Sequence, residues 1–290
     1  MRLSRLLLAL VGLAAAGLVL AWVVLGSATI AKDTSFTIPS GASVASVADK
    51  LEAEGLITSA SGFVLQARIF GSDTPIQAGE FLLTPDMSQG DILAAFQSGD
   101  VIRRFVTIPE GMPSILVWER LMAEELLTGE VDVPPEGSIL PDTYAFERGQ
   151  SRKALVEQMQ AAMDKALAEE WAKRRPDIPV TTMREALILA SIVEKETGKP
   201  EERRMVAGLY SNRVRTGMKL QADPTIIYPV TKGKPLGRRI KQSEIAAVNG
   251  YNTYTMSGLP NGPITNPGRE AIAAVLDPAE TDALFMVANG

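Results

Sequence analysis

The sequence predicts an α+β chain in three parts: an N-terminal transmembrane helix at 6–26, a small α+β module at 33–100, and a mainly helical domain with short strands at 101–290. Three observations predict it. Residues 6–25 form an apolar run, residues 35–99 alternate short strand-like and helix-like segments, and long helical periodicities between 114 and 215 give way to a stretch rich in Gly, Pro and Asn. A chain of 290 residues with 46% hydrophobic content can bury the core of one large or two modest domains.

The apolar run has about the 20-residue length that a helix needs to cross a bilayer. Arg2 and Arg5 precede it, so residues 1–5 are expected in the cytoplasm, the chain beyond about Gly26 on the far side, and Trp22 at the outer interface. A cleaved signal peptide would have a shorter apolar region and a small-x-small cleavage site, which this segment lacks.

In the module, the pattern predicts a strand at 35–38, helices at 44–54 and 59–69, a strand at 79–83 and a helix at 88–97. Ser43 and Ser88 are placed as helix caps, and Pro39-Ser-Gly41 and Pro85-Asp86 as turns. Strand alternation at 101–108 and the turn Pro109-Glu-Gly-Met-Pro113 lead into helices at 114–127, 151–173, 182–196 and 201–215. Loops and short strands are expected after Gln221.

Composition narrows the chemistry. With 34 acidic and 29 basic residues, a net charge of -5 supplies no basic footprint for nucleic acid. Cysteine and histidine are absent, which removes disulfides, thiol nucleophiles, thiolate zinc sites and imidazole catalysis. Any reaction must run on carboxylates, lysines, hydroxyls or amides, and no metal or cofactor is expected.

Glu196 is the leading candidate. Thr182 and Glu185 have capping-box spacing, and Gly198 with Pro200 marks a helix stop, so Glu196 lies in the last turn. At about 100° per residue, Leu189, Ile192 and Val193 share its face, whereas Glu194 points nearly the opposite way with Leu187 and Ala190. Apolar neighbours and the negative helix end both raise a carboxyl pKa, as a general acid near neutral pH requires. The position alone leaves a second reading open, in which Glu196 frays outward or pairs with Arg203 or Arg204.

Beyond the helices, Gln221-Ala-Asp223-Pro224-Thr225, Asn252-Thr-Tyr254 and the run from Gly258 to Gly268 set amides, hydroxyls and a carboxylate in rigid turns, suited to a cleft for a polar ligand such as a sugar chain. Singly, each is ordinary turn chemistry. Ser191 and Lys195, at i, i+4 spacing, suggest a serine-lysine pair, but apolar surroundings and the lack of an oxyanion hole favour a helix contact. The cluster Lys232, Lys234, Arg238, Arg239 and Lys241 reads as a solvated loop that could also meet carboxylates or phosphates.

Taken in order, these segments resemble the YceG-like, or MltG-type, endolytic murein transglycosylases. The resemblance runs through Gly-Ser-Ile-Leu-Pro141-Asp142-Thr-Tyr144-Ala-Phe146, the helix end at 190–198, Asn212-Arg213, Gly217-Met218, 221–228, 251–254 and 258–268. Residues 33–100 resemble a LysM-like carbohydrate-binding module. The resemblance implies a lytic-transglycosylase-like catalytic domain in which the catalytic glutamate precedes a hydroxyl residue, a description that Glu196-Thr197 fits and Glu194-Lys195 does not. It further implies cleavage of β-1,4 bonds between N-acetylmuramic acid and N-acetylglucosamine with 1,6-anhydro ends, and Thr197, Gln221, Asp223, Asn252, Tyr254, Asp142 and Tyr144 as substrate-binding residues. The implied setting is the bacterial inner membrane, with a single pass and the catalytic part in the periplasm. The implied partners are peptidoglycan glycan strands, the cytoplasmic membrane and peptidoglycan synthases (penicillin-binding proteins). A lysozyme-like muramidase using Asp223 as a second carboxylate, and a noncatalytic wall-binding anchor, are the alternatives. Family members usually continue past the position matching Val287-Ala-Asn-Gly290 with a Gly- and His-containing stretch and a final helix, so a C-terminal truncation is expected.

Overall fold

The computed structural model describes residues 27–286, together with Gly12 and Gly17. Nearly all of the expected membrane-crossing segment, and residues 287–290, lie outside the described residues. Among the described residues no helix is long and apolar enough to cross a membrane. The fold is mixed α+β, with helices and a few short strands, and divides into two units, Met1–Arg104 and Phe105–Gly290.

In the first unit, β1 (Thr34–Ile38) pairs antiparallel with β2 (Gly79–Leu83), Phe36 opposite Phe81. Alternation along the strands sends Phe36, Ile38, Phe81 and Leu83 inward. They meet α1 (Val44–Ala53), α2 (Ala60–Phe70) and α3 (Gln89–Ser98) through Leu51, Phe63, Ile92 and Phe96. The Phe96 ring packs 4.8 Å from Phe81 and 5.7 Å from Phe36. Ser43 and Ser88 cap α1 and α3 in capping boxes with Ser46 and Asp91, so the local chemistry read from the sequence fixes both helix starts.

In the second unit, β3 (Arg104–Thr107) pairs with β4 (Thr143–Phe146). Beside them, α4 (Ser114–Ala123) and α5 (Arg152–Ala172) contribute Val117, Leu121, Leu155 and Met159 to a core with Val106, Ile139 and Phe146. A larger core joins α5, α6 (Met183–Glu196), α7 (Pro200–Arg215), α8 (Pro224–Thr231) and α10 (Arg269–Leu276). Because α5, α7 and α10 all pack on α6, that helix is buried on nearly every side from Ala186 to Glu194.

Two expectations are corrected. The helix expected at 114–127 ends at Ala123, where Glu124 turns extended and Leu127 drops into the core. Past Gln221 there are three helices, α8, α9 (Gln242–Ile245) and α10, and no strand among the described residues. Each has eight residues or fewer, too short for a 3.6-residue period to register, and α8 is started by Pro224 at its first position.

Candidate functional site

Helix α6 begins where its capping box predicts: Thr182 Oγ1 accepts from the Glu185 amide over 3.1 Å, and the Glu185 carboxylate accepts from the Thr182 amide over 3.1 Å. It ends at Glu196, and Thr197 is already extended. This places the Glu196 carboxyl in a cleft of ≈ 400 Å³ bordered by Tyr210 and Arg213 of α7, Gln221 and Asp223 before α8, and Tyr254, with Leu209, Ile227 and Met286 as apolar wall.

The Glu196 pKa is pushed up to about 7. Desolvation is the main cause and the negative charge of Asp223 adds to it, while the nearby Tyr210 hydroxyl and the positive charge of Arg213 act the other way. Glu196 Oε1 is buried and makes no hydrogen bond within the protein. The alternative ion pairs are taken: Arg203 binds Glu110 at 2.6 Å and Glu194 at 3.6 Å, and Arg204 binds Asp277 at 2.8 Å.

Glu194, which helical arithmetic sets nearly opposite Glu196 with Leu187 and Ala190, also lies inside the protein. Burial raises its pKa too. Its carboxylate, however, accepts from the Gly268 amide over 2.8 Å and pairs with Arg203, so its hydrogen-bonding capacity is spent within the fold. The two acids face different surroundings, and only Glu196 borders the cleft.

The opposite wall is tied together from within. Gln221 takes a left-handed backbone, φ +52°, and its amide donates to the Thr253 carbonyl over 3.2 Å. The Thr253 hydroxyl accepts from the Ala222 amide (3.1 Å) and pairs with the Thr225 hydroxyl (2.8 Å), with both threonines fully buried. This buried pair locks the 221–225 segment to the 252–254 turn. At its rim the Tyr254 hydroxyl donates to Asp223 Oδ1 over 2.6 Å, and the tyrosine's pKa is pushed up to about 12, by burial first and then by the carboxylate.

Of the sequence-predicted residues, Glu196, Gln221, Asp223 and Tyr254 are brought together. The other four do not border the cleft. Asn252 is fully buried, its amide donating to the carbonyls of Glu244, Ile245 and Ala247 and closing the end of α9. Thr197 caps the α6–α7 junction, its hydroxyl donating to Glu202 over 3.0 Å. Asp142 is exposed and accepts from the next amide in the chain, while Tyr144 is buried in the α4–α5 core with its hydroxyl on the Leu140 carbonyl. Ser191 is fully buried, donating to Ile188 O and accepting from the Ile264 amide, and Lys195 turns to the Gly111 carbonyl, so no serine-lysine pair forms. In the basic cluster, Lys234 and Arg238 are bound by Glu119 and Glu244.

The sequence reading missed Tyr210, Arg213 and Met286 as cleft residues. Tyr210 and Arg213 lie three residues apart on α7 and are both buried, so an arginine on a helix's inward face was the available signal. Nothing local marks Met286. Among the described residues no acidic cluster could hold a metal ion. A second cavity, ≈ 340 Å³ near Arg175 and Asn212, has its arginines already engaged, Arg175 with Asp177 and Glu280 and Arg215 with Asn212.

Several known proteins are similar to this chain. An endolytic murein transglycosylase of Streptococcus pneumoniae serotype 2 is 29% identical over 300 residues, covering 87% of this chain and 53% of that protein. One of Bacillus subtilis is 26% identical over 301 residues, covering 90% of this chain and 81% of the relative. The chain thus spans about half the length of the pneumococcal relative. A crystal structure of a yceG-like protein of Listeria monocytogenes superposes with a TM-score of 0.54 at 26% identity, covering 89% of this chain and 94% of that one. The YceG-like family model matches residues 36–290, and with that match across both units the chain belongs to the YceG-like family.

Proposed function

We propose that this chain is a membrane-anchored, endolytic peptidoglycan lytic transglycosylase that cuts β-1,4 bonds between N-acetylmuramic acid and N-acetylglucosamine in nascent strands and so ends their elongation. The observation that carries the reading is the Glu196 carboxyl, set in a polar cleft and largely withdrawn from solvent, which pushes its pKa up to about 7. Below neutral pH it holds the proton that the leaving glycosidic oxygen needs. As that oxygen takes the proton and the C1–O bond breaks, the C6 hydroxyl of the muramoyl residue attacks the anomeric carbon. Its proton passes to the Glu196 carboxylate, which restores the acid and leaves a 1,6-anhydro end. One carboxyl serves both steps and no water is consumed.

In this reading Gln221, Asp223 and Tyr254 hold the sugar, while Thr197 and Asn252 act indirectly by fixing α6 and the 252–254 turn. The first unit serves as a LysM-like sugar-binding module, the apolar residues 6–25 as the anchor in the cytoplasmic membrane, and peptidoglycan synthases as the source of substrate. The names of the similar proteins support the reaction class.

Asp223 in the same cleft favours one rival, a muramidase in which a second carboxylate assists water or the anomeric centre. Digestion of purified glycan strands followed by mass analysis separates the two. Lytic cleavage leaves anhydro-muramoyl ends, 18 Da lighter by about one water, and hydrolysis leaves reducing ends. Reducing ends alone would replace the present reading with the hydrolytic one.

A further inference from the structure

The C-terminal segment 278–286 runs back along α7. Asn212 donates to the carbonyls of Thr281 (2.8 Å) and Ala283 (3.1 Å), and the segment delivers Met286 to the Glu196 cleft. Next to Asn212, the buried Arg213 guanidinium donates to the Leu284 carbonyl through Nε (2.8 Å) and to the Leu220 carbonyl through Nη1. Leu220 leads into the left-handed Gln221, and Leu284 leads into Phe285, whose ring centre lies 5.4 Å from the guanidinium carbon. The Tyr210 ring lies 5.9 Å from the same carbon. Among the described residues no carboxylate forms an ion pair with Arg213.

Building on the reading of Glu196 as the acid, we propose that Arg213 is a positioning residue that ties the Gln221–Asp223 wall and the 278–286 strap together around the Glu196 carboxyl, so that both walls of the glycan cleft hang on one buried cation. Arginine suits this because its planar, delocalised group reaches two carbonyls in different directions while packing on two rings, which a lysine ammonium cannot do. Its charge also opposes the upward push that burial and Asp223 exert on Glu196. The charged and titratable groups around that carboxyl are Asp223, Tyr210, Arg213 and Tyr254, with Lys195 adjacent in sequence.

The test uses Arg213→Lys, Arg213→Met and Phe285→Ala, the last at an exposed strap position where folding is not at risk. Two quantities are read: KM and kcat on glycan strands, and the titration midpoint of the Glu196 carboxyl by carbon NMR, assigned against Glu196→Gln. Arg213→Lys keeps the charge and is expected to leave the midpoint in place while KM rises about tenfold, since the walls lose their common tie. Arg213→Met is expected to raise the midpoint by roughly one pH unit, and Phe285→Ala to raise KM severalfold. Wild-type KM in Phe285→Ala or in folded Arg213→Lys overturns the proposal, as does an unmoved midpoint in folded Arg213→Met. The NMR titration needs no turnover. If Glu196→Gln still cleaves glycan, the assignment of Glu196 fails while the Arg213 coupling is still read from the midpoint.

Discussion

Tyr254 donates its hydroxyl to Asp223 over 2.6 Å, so the one other carboxylate bordering the Glu196 cleft, among the described residues, is held by a phenol. Asp223 acts on Glu196 as a fixed negative charge that discourages ionisation. Asp223→Asn removes that charge and is expected to lower the Glu196 pKa from about 7, moving the alkaline limb of kcat/KM to lower pH while activity at pH 5.5 stays within about tenfold of wild type. A loss beyond a hundredfold at every pH would instead mark Asp223 as a participant in the bond-breaking step itself.

Glu196→Gln is expected to cut glycan cleavage by about 10²–10⁴-fold, the usual worth of a positioned general acid. The readout is the yield of anhydro ends, and wild-type yield would remove Glu196 from the chemistry.

The same substitution carries a stability prediction of opposite sense. A folded pKa of about 7 against an ordinary 4.5 means that the folded state holds the proton more tightly than the unfolded state. Wild-type stability is therefore favoured below about pH 4.5 and declines as pH rises through about 7, where the buried anion must be carried. Glu196→Gln removes that burden, so urea denaturation at pH 8 is expected to show the variant more stable by about 1–3 kcal/mol, with the gap closing by pH 4. An equal gap at both pH values would contradict the buried setting.

Thr253→Val deletes the hydroxyl that the Ala222 amide and Thr225 share. The buried amide loses its partner, at a cost of about 1–3 kcal/mol. Since the lost tie also frees the Gln221–Asp223 wall, KM is expected to rise, and Thr253→Ser is expected to restore both. Denaturant melts with glycan kinetics on the two variants check this.

Gly137 has φ +80°, and a β-carbon there would lie 2.6 Å from Pro263 Cγ. Gly137→Ala is expected to cost at least about 2 kcal/mol, combining left-handed strain with that contact. A shift in the urea midpoint measures it.

What the sequence made legible was local. The Ser43, Ser88 and Thr182 caps act on amides three residues on, so the pattern alone places the helix starts. The Gly198–Pro200 stop likewise places Glu196 in a final turn. Its partners Tyr210, Arg213 and Met286 arrive by tertiary packing of α7 and the strap, which no spacing near Glu196 encodes. Polar residues in turns mislead for a related reason: an asparagine that closes a helix end, as Asn252 does, has the same sequence signature as one that faces a sugar. Glu194 illustrates the limit of helical-face arithmetic, which sets it apart from Glu196 but does not say which acid borders a cleft, because α5, α7 and α10 enclose the middle of the helix and its exposed residues, Met183, Arg184 and Lys195, lie at its ends.

Helix α10 packs on α5, α6 and α7, and Met286 beyond it completes the cleft. Both lie well beyond Glu196 along the chain, so vectorial synthesis must add some 80–90 residues after the acid before the scaffold around it can close, at ordinary elongation rates an interval of several seconds. A chain interrupted within that interval holds the acid without its cleft.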